Sequence, residues 1–158
     1  MRTRLLVIGY GNELRGDDAA GPRAARAVAA WRLSGVEGIT THQLTPELAA
    51  RIGEAERVVF VDAGQDDVVL TRPIGPGQAA RVPGHTGEPR ELLALAEALY
   101  GHRPKAWLVT LPAPELGFGE GLSAAAEHGL AEALRQIRTL ADGFPAAAEE
   151  PQECTRSV

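Results

Sequence analysis

A chain of 158 residues suits one domain with a sizeable core, since domains commonly run to ~100–150 residues. It is 44% hydrophobic and 23% charged but only 4% aromatic, so Leu, Val and Ala must fill the interior. A net charge of -5 with no Lys/Arg cluster speaks against nonspecific nucleic-acid binding, and no apolar run approaches the ~20 residues of a membrane span. Met1-Arg2 leads directly into a strand-like run without a signal-peptide pattern, so a cytoplasmic protein with a protein or small-molecule partner is expected. The single cysteine, Cys154, lies in a polar tail, which leaves no disulfide framework and no multi-cysteine metal site.

Leu5-Leu6-Val7-Ile8 reads as a buried strand ending in the loop Gly9-Tyr10-Gly11-Asn12. Apolar positions at helical spacing over residues 17–31, with Pro22 in the first turn, predict a helix whose entrance carries Asp17 and Asp18. Residues 38–44 read as a second strand, and Thr45-Pro46-Glu47 as a helix start with Thr45 as cap and Pro46 at the first helical position, the helix running to about residue 55. Residues 57–61 are β-branched and aromatic enough for a central strand, closed by Asp62-Ala63-Gly64. A further strand over 68–72 is expected to stop where Pro73-Ile74-Gly75-Pro76-Gly77 breaks regular structure, followed by a loop carrying His85. Residues 89–100 repeat Leu at helical spacing up to the stop Gly101, and 106–111 form the last strand. After a turn-rich loop over 112–121, Ser123 caps an amphipathic helix with a stripe of Leu130, Leu134, Ile137 and Leu140. Residues 1–142 are thus read as a single domain, and 143–158 as a disordered tail of Ala, Glu, Pro and Ser.

Alternating strands and helices imply right-handed βαβ units, hence a three-layer α/β/α sandwich around a mostly parallel, twisted sheet of about five strands. Ligands of such sheets bind beyond the carboxyl ends of the strands, where Asp17, Asp18, Asp62 and the loop with His85 map.

Gly9-Tyr10-Gly11-Asn12 has the start of a dinucleotide fingerprint, but Leu14 stands where its third glycine belongs, and two carboxylates at the helix entrance suit a cation better than a pyrophosphate. One of Asp17 and Asp18 is expected to cap the helix, leaving the other for chemistry. Asp62, at the end of a central strand, must be paired or ligated, either by a loop arginine or by a cation. His102 and His128 read as structural, whereas the loop positions of His42 and His85 keep function open. Two carboxylates and an imidazole fit a borderline divalent ion such as nickel or zinc; their spacing permits a site without specifying one.

The run Gly9-Tyr10-Gly11-Asn12-Glu13-Leu14-Arg15-Gly16-Asp17-Asp18-Ala19-Ala20-Gly21 resembles the opening of the hydrogenase maturation proteases, Gly-x-Gly-Asn-x-Leu-x-x-Asp-Asp/Glu-x-x-Gly. The resemblance continues through Val58-Val59-Phe60-Val61-Asp62-Ala63, through His85 ahead of Leu92-Leu93-Ala94-Leu95-Ala96, and through Leu116-Gly117-Phe118-Gly119-Glu120-Gly121-Leu122-Ser123, covering residues 1 to about 141. It implies that Asp18, Asp62 and His85 bind a divalent metal. It also implies an endopeptidase that cuts once near the carboxyl terminus of a nickel-iron hydrogenase large-subunit precursor after nickel insertion. The nickel is then supplied by the precursor, with other divalent metals able to replace it in vitro. Many members carry an Asp-Gly-Gly-Thr-like segment after the second strand; here His42-Gln43-Leu44 stands instead, similar to the branch serving bidirectional NAD(P)-linked hydrogenases, and is a candidate substrate-selecting segment.

No serine or cysteine with a neighbouring base sits at a strand-to-helix elbow, and no His-Glu-x-x-His helix is present, so the expected catalytic set is Asp18, Asp62 and His85, with Asp17 a candidate general base. Two rival readings are a noncatalytic nickel-binding checkpoint or assembly factor for the same precursor, and a Rossmann-type nucleotide-binding module.

Overall fold

The computed structural model describes residues 3–77 and 88–143. The expected loop ligand His85, and the expected tail with Cys154, lie outside the described residues. Five strands, β1 (Thr3–Tyr10), β2 (Val36–Thr41), β3 (Ala55–Gly64), β4 (Leu70–Ile74) and β5 (Lys105–Pro112), form one sheet in the order β2-β1-β3-β5-β4. All neighbours pair in parallel except β4, which runs antiparallel to β5 at the edge. Four helices cover it: α1 (Ala20–Ala30), α2 (Leu48–Gly53), α3 (Pro89–Tyr100) and α4 (Ala124–Asp142).

The buried runs Leu5-Leu6-Val7-Ile8 and Val58-Val59-Phe60-Val61 are apolar at every position because both faces of the sheet are covered. One core layer joins Leu5, Val7, Val59, Val61 and Val109 to Ala24 and Val28 of α1 and Ile137 of α4. The opposite layer joins Leu6, Ile8, Val58 and Phe60 to Ile52 of α2 and Leu92, Leu93 and Ala96 of α3. This is the three-layer sandwich that the sequence pattern predicts.

Leaving β1, the chain crosses one face through α1 to β2, then returns over the other face through α2 to β3. The strand order therefore reverses between β1 and β3, and the connections part there to leave a crevice at the carboxyl ends, where such sheets bind ligands.

Several boundaries differ from the sequence pattern for local reasons. The first helix does not begin at Asp17: residues Gly16–Ala19 form a 3-10 turn that feeds α1. β2 ends at Thr41 instead of continuing to Leu44, because the Thr41 hydroxyl donates to the Gln43 carbonyl (2.7 Å) and curls the chain off the sheet. α2 starts at Leu48, not Pro46, with Glu47 rather than Thr45 as its N-cap and no side-chain cap, because the Leu48 amide donates to the Thr45 carbonyl and the Ala49 amide to the Pro46 carbonyl (3.0 Å each) in a preceding turn. Pro73 and Ile74 do not break structure; they belong to β4, where an edge strand tolerates a proline. At the other helix ends the pattern holds: Pro89 opens α3, Gly101 closes it with φ 67°, and the Ser123 hydroxyl accepts from the Ala126 amide to cap α4. No helix among the described residues is long and apolar enough to cross a membrane.

Candidate metal and substrate site

The glycine-rich turn after β1 is shaped by packing. A Cβ on Gly9 would stand 1.9 Å from the Gly21 carbonyl oxygen, and one on Gly21 would stand 2.6 Å from the carbonyls of Tyr10 and Val61. These two glycines let α1 lie directly on β1 and β3. Gly11 adopts φ 150°, and a Cβ there would meet the Asp18 carbonyl oxygen at 2.1 Å. The space that a nucleotide-binding loop leaves for a pyrophosphate is filled here by the protein's own backbone. The Asn12 side chain accepts from the Leu14 amide (2.9 Å), an Asx turn that starts the loop toward the acidic pair.

The two aspartates divide their work, though neither caps α1 with its side chain. Asp17 is fully buried: its Oδ1 accepts from the Ser123 amide (2.7 Å), and its Oδ2 from the Glu115 amide (2.9 Å) and the Ser123 hydroxyl (2.7 Å). It pins the 115–123 loop and the α4 cap, and these three bonds give the side chain named as a candidate general base a structural task. Asp18 is partly exposed, and its Oδ2 accepts from the Asn12 amide (2.7 Å). Its other oxygen has no hydrogen bond among the described residues.

Asp62 ends the buried part of β3. Its Oδ1 accepts from the adjacent Ala63 amide (2.8 Å). Desolvation by burial and the nearby Asp18 charge together raise its pKa from 3.8 to about 6, against the lowering effect of the Ala63 amide and the Tyr10 hydroxyl. The loop-arginine salt bridge that sequence allowed is absent among the described residues. Two carboxylates thus converge across the crevice between β1 and β3, with the charge of one acting on the other. This donor set suits a cation, which would relieve both the desolvation and the repulsion.

Two polar residues were not singled out by sequence. Tyr10 ends β1, and the pairing of Gly9 with Val61 sets it in the row of Asp62; its hydroxyl is held protonated by burial first and then by the Asp62 charge. Thr110 pairs with Asp62 from β5 and is 9% exposed, yet its Oγ1 has no hydrogen-bond partner among the described residues. Alternation along the strands puts Tyr10, Asp62 and Thr110 on the α2–α3 side, since Ile8, Phe60 and Ala106 face that layer. The available signal was period-two counting from the strand centres to their carboxyl ends. The charge of Glu88, immediately before α3, also acts on Tyr10, which brings the entrance of α3 to the same site.

Of the remaining candidates, His42 and Gln43 are exposed just beyond β2, whereas Leu44 is 4% exposed and packs in the α2–α3 core layer, out of reach of a partner. The His102 Nε2 is 2.7 Å from the Ala55 carbonyl, a structural contact. Among the described residues, no group of three His, Cys, Asp or Glu side chains could hold a metal ion; the described part of the candidate set is the pair Asp18 and Asp62. On the two loops that flank the Asp17-Asp18 turn, Leu14 (61% exposed), Leu116 and Phe118 (91% exposed) leave apolar side chains uncovered. Hydrogen bonds from the Gly119 amide to the Leu14 carbonyl and from the Gly16 amide to the Gly119 carbonyl, 3.0 Å each, tie the two loops together.

The fold and this carboxylate pair define an α/β protein with a cation-suited crevice at the switch point of its sheet. No protein-family model matches the chain, and no curated protein does. Solved structures share its fold. The hydrogenase maturating endopeptidase HybD from E. coli is 22% identical over 89% of this chain and 94% of its own, with a TM-score of 0.70. The [NiFe] hydrogenase maturation protease HycI from Thermococcus kodakarensis KOD1 is 21% identical over 86% and 90%, with a TM-score of 0.67. A hydrogenase 2 maturation peptidase from a Thaumarchaeota archaeon is 22% identical over 87% and 97%, with a TM-score of 0.65.

Proposed function

We propose that the chain is a hydrogenase maturation endopeptidase that removes the carboxyl-terminal extension of a nickel-iron hydrogenase large-subunit precursor in the cytoplasm, once nickel has been inserted. The observation that carries this reading is the pair of converging carboxylates, Asp18 and Asp62, at the β1–β3 crevice of a fold shared with HybD and HycI. The proposed third ligand, His85, precedes Glu88 by three residues in the sequence, and the Glu88 charge acts on Tyr10. An imidazole added to two carboxylates suits nickel, while positions left open on the ion suit ligands from the precursor.

The nickel is substrate-borne and polarises the groups it touches. The chain's part is to present the Asp18 oxygen that no described residue occupies, to present Asp62 from a rigid strand end, and to hold the cleavage segment against them. Asp17, buried and accepting three hydrogen bonds, fixes the loops on which this geometry depends. The exposed apolar side chains of Leu14, Leu116 and Phe118, on loops tied to each other by backbone hydrogen bonds, suit a polypeptide substrate. The nucleotide-binding alternative is opposed by the backbone that fills the space around Gly11.

Incubating the full chain with nickel-loaded precursor and weighing the product tests the reading. Loss of a short carboxyl-terminal peptide is expected, together with no cleavage by folded Asp18→Ala, Asp62→Ala and His85→Ala variants. Nickel-dependent binding of uncut precursor would instead favour the noncatalytic checkpoint.

A further inference from the structure

Asp62 can serve a cation only if its carboxylate keeps one orientation, because a strand-end side chain with one backbone contact is otherwise free to rotate. Its Oδ1 is held by the Ala63 amide. What can hold the rest is decided by strand register. β1 and β3 pair in parallel through Gly9 and Val61, so the next residues, Tyr10 and Asp62, are neighbours across the switch point. Both fall on the face that carries Ile8 and Phe60. The Tyr10 ring packs against that core layer, which fixes where its hydroxyl can stand, and the hydroxyl is near enough to the Asp62 carboxylate for each to shift the other's proton affinity. The phenol is anchored by its apolar body and directed by its polar tip.

We infer that Tyr10 is a positioning residue for the cation site: its hydroxyl, fixed by ring packing at the end of β1, orients the Asp62 carboxylate toward the crevice that it shares with Asp18. The inference rests on the proposed metal-dependent reading and extends it to a residue that touches neither the cation nor the reacting peptide. A hydroxyl donated to a ligating carboxylate restricts the rotamers of the ligand without competing for its remaining lone pairs. Loss of such supporting hydrogen bonds typically weakens metal binding by ~10–100-fold. On the other side of Asp62, the Thr110 Oγ1 has no hydrogen-bond partner among the described residues, so the orienting contact from a neighbouring strand comes from Tyr10.

The test compares the full-length wild-type chain with Tyr10→Phe, which keeps the ring and removes only the hydroxyl, and Tyr10→Leu, which removes both. Nickel(II) alone is the probe, titrated calorimetrically into metal-free protein, with thermal unfolding measured in parallel and kcat and KM for precursor cleavage read separately. The expected result is a loss of about tenfold in nickel affinity for Tyr10→Phe with its unfolding temperature unchanged. Tyr10→Leu should show a similar affinity loss and a lowered unfolding temperature. Cleavage by Tyr10→Phe should fall in kcat/KM with a raised KM for the precursor, because the nickel it grips less tightly arrives on the precursor. Wild-type nickel affinity in Tyr10→Phe overturns the inference, and so does an unfolded Tyr10→Phe protein, which would make the hydroxyl a requirement of the fold. A wild-type chain that neither binds nickel nor cuts the precursor would fail the underlying reading instead.

Discussion

Asp62→Asn should make the metal-free protein more stable at pH 8 while abolishing nickel-dependent processing. The carboxyl group titrates at about 6 in the folded chain against 3.8 ordinarily, chiefly because burial strips it of water and then because Asp18 repels its charge. A tenfold change in proton affinity corresponds to about 1.4 kcal/mol, so holding Asp62 ionised in the fold costs on the order of 2–3 kcal/mol. Between about pH 4 and 6 the unfolded chain has released this proton while the folded chain retains it, so stability falls as pH rises through that window. Above about 6 both states are ionised and the full cost is present; below about 4 both are protonated and it disappears. Asparagine keeps the shape and the acceptor for the Ala63 amide without the charge. Urea unfolding in the presence of a chelator should therefore show the variant more stable by roughly 2 kcal/mol at pH 8, with the difference vanishing near pH 4. A variant that is less stable at pH 8, or a difference that does not change with pH, would refute the view that Asp62 is a strained charge kept for a cation.

Asp17→Ala should behave oppositely, because it leaves the amides of Glu115 and Ser123 and the Ser123 hydroxyl without their buried acceptor. A loss of roughly 3 kcal/mol or more in denaturant unfolding is expected, with any fall in cleavage following the loss of fold. Thr110→Val removes a buried hydroxyl that has no partner among the described residues and should raise stability by about 1 kcal/mol, read from the urea midpoint; destabilisation would mean that the hydroxyl is satisfied in solution. Replacing the exposed His42 and Gln43 while leaving Leu44 in the core should alter which of two hydrogenase precursors is cut faster without changing nickel affinity. Weakened nickel binding with unchanged preference would put His42 at the metal instead.

The layers were legible in the sequence because continuous apolar runs such as Leu5-Leu6-Val7-Ile8, alternating with amphipathic helices, admit few arrangements other than a covered parallel sheet. Ser123, Pro89 and Gly101 marked their helix ends for local reasons that need no tertiary contact. Sequence also set Asp18 and Asp62 apart as carboxylates after strands. Which of the adjacent acids was free could not be read from the chain, since Asp17 is bound by groups some hundred residues away, at Glu115 and Ser123. The end of β2 and the survival of β4 through Pro73 likewise depended on a turn hydrogen bond and on an edge position. Tyr10 and Thr110 became site neighbours only when strand order placed β1 and β5 on either side of β3. A periodic pattern tells which face a side chain takes, but which strands lie side by side is decided by the packing of the whole sheet, and the surroundings of Asp62 are a product of that order.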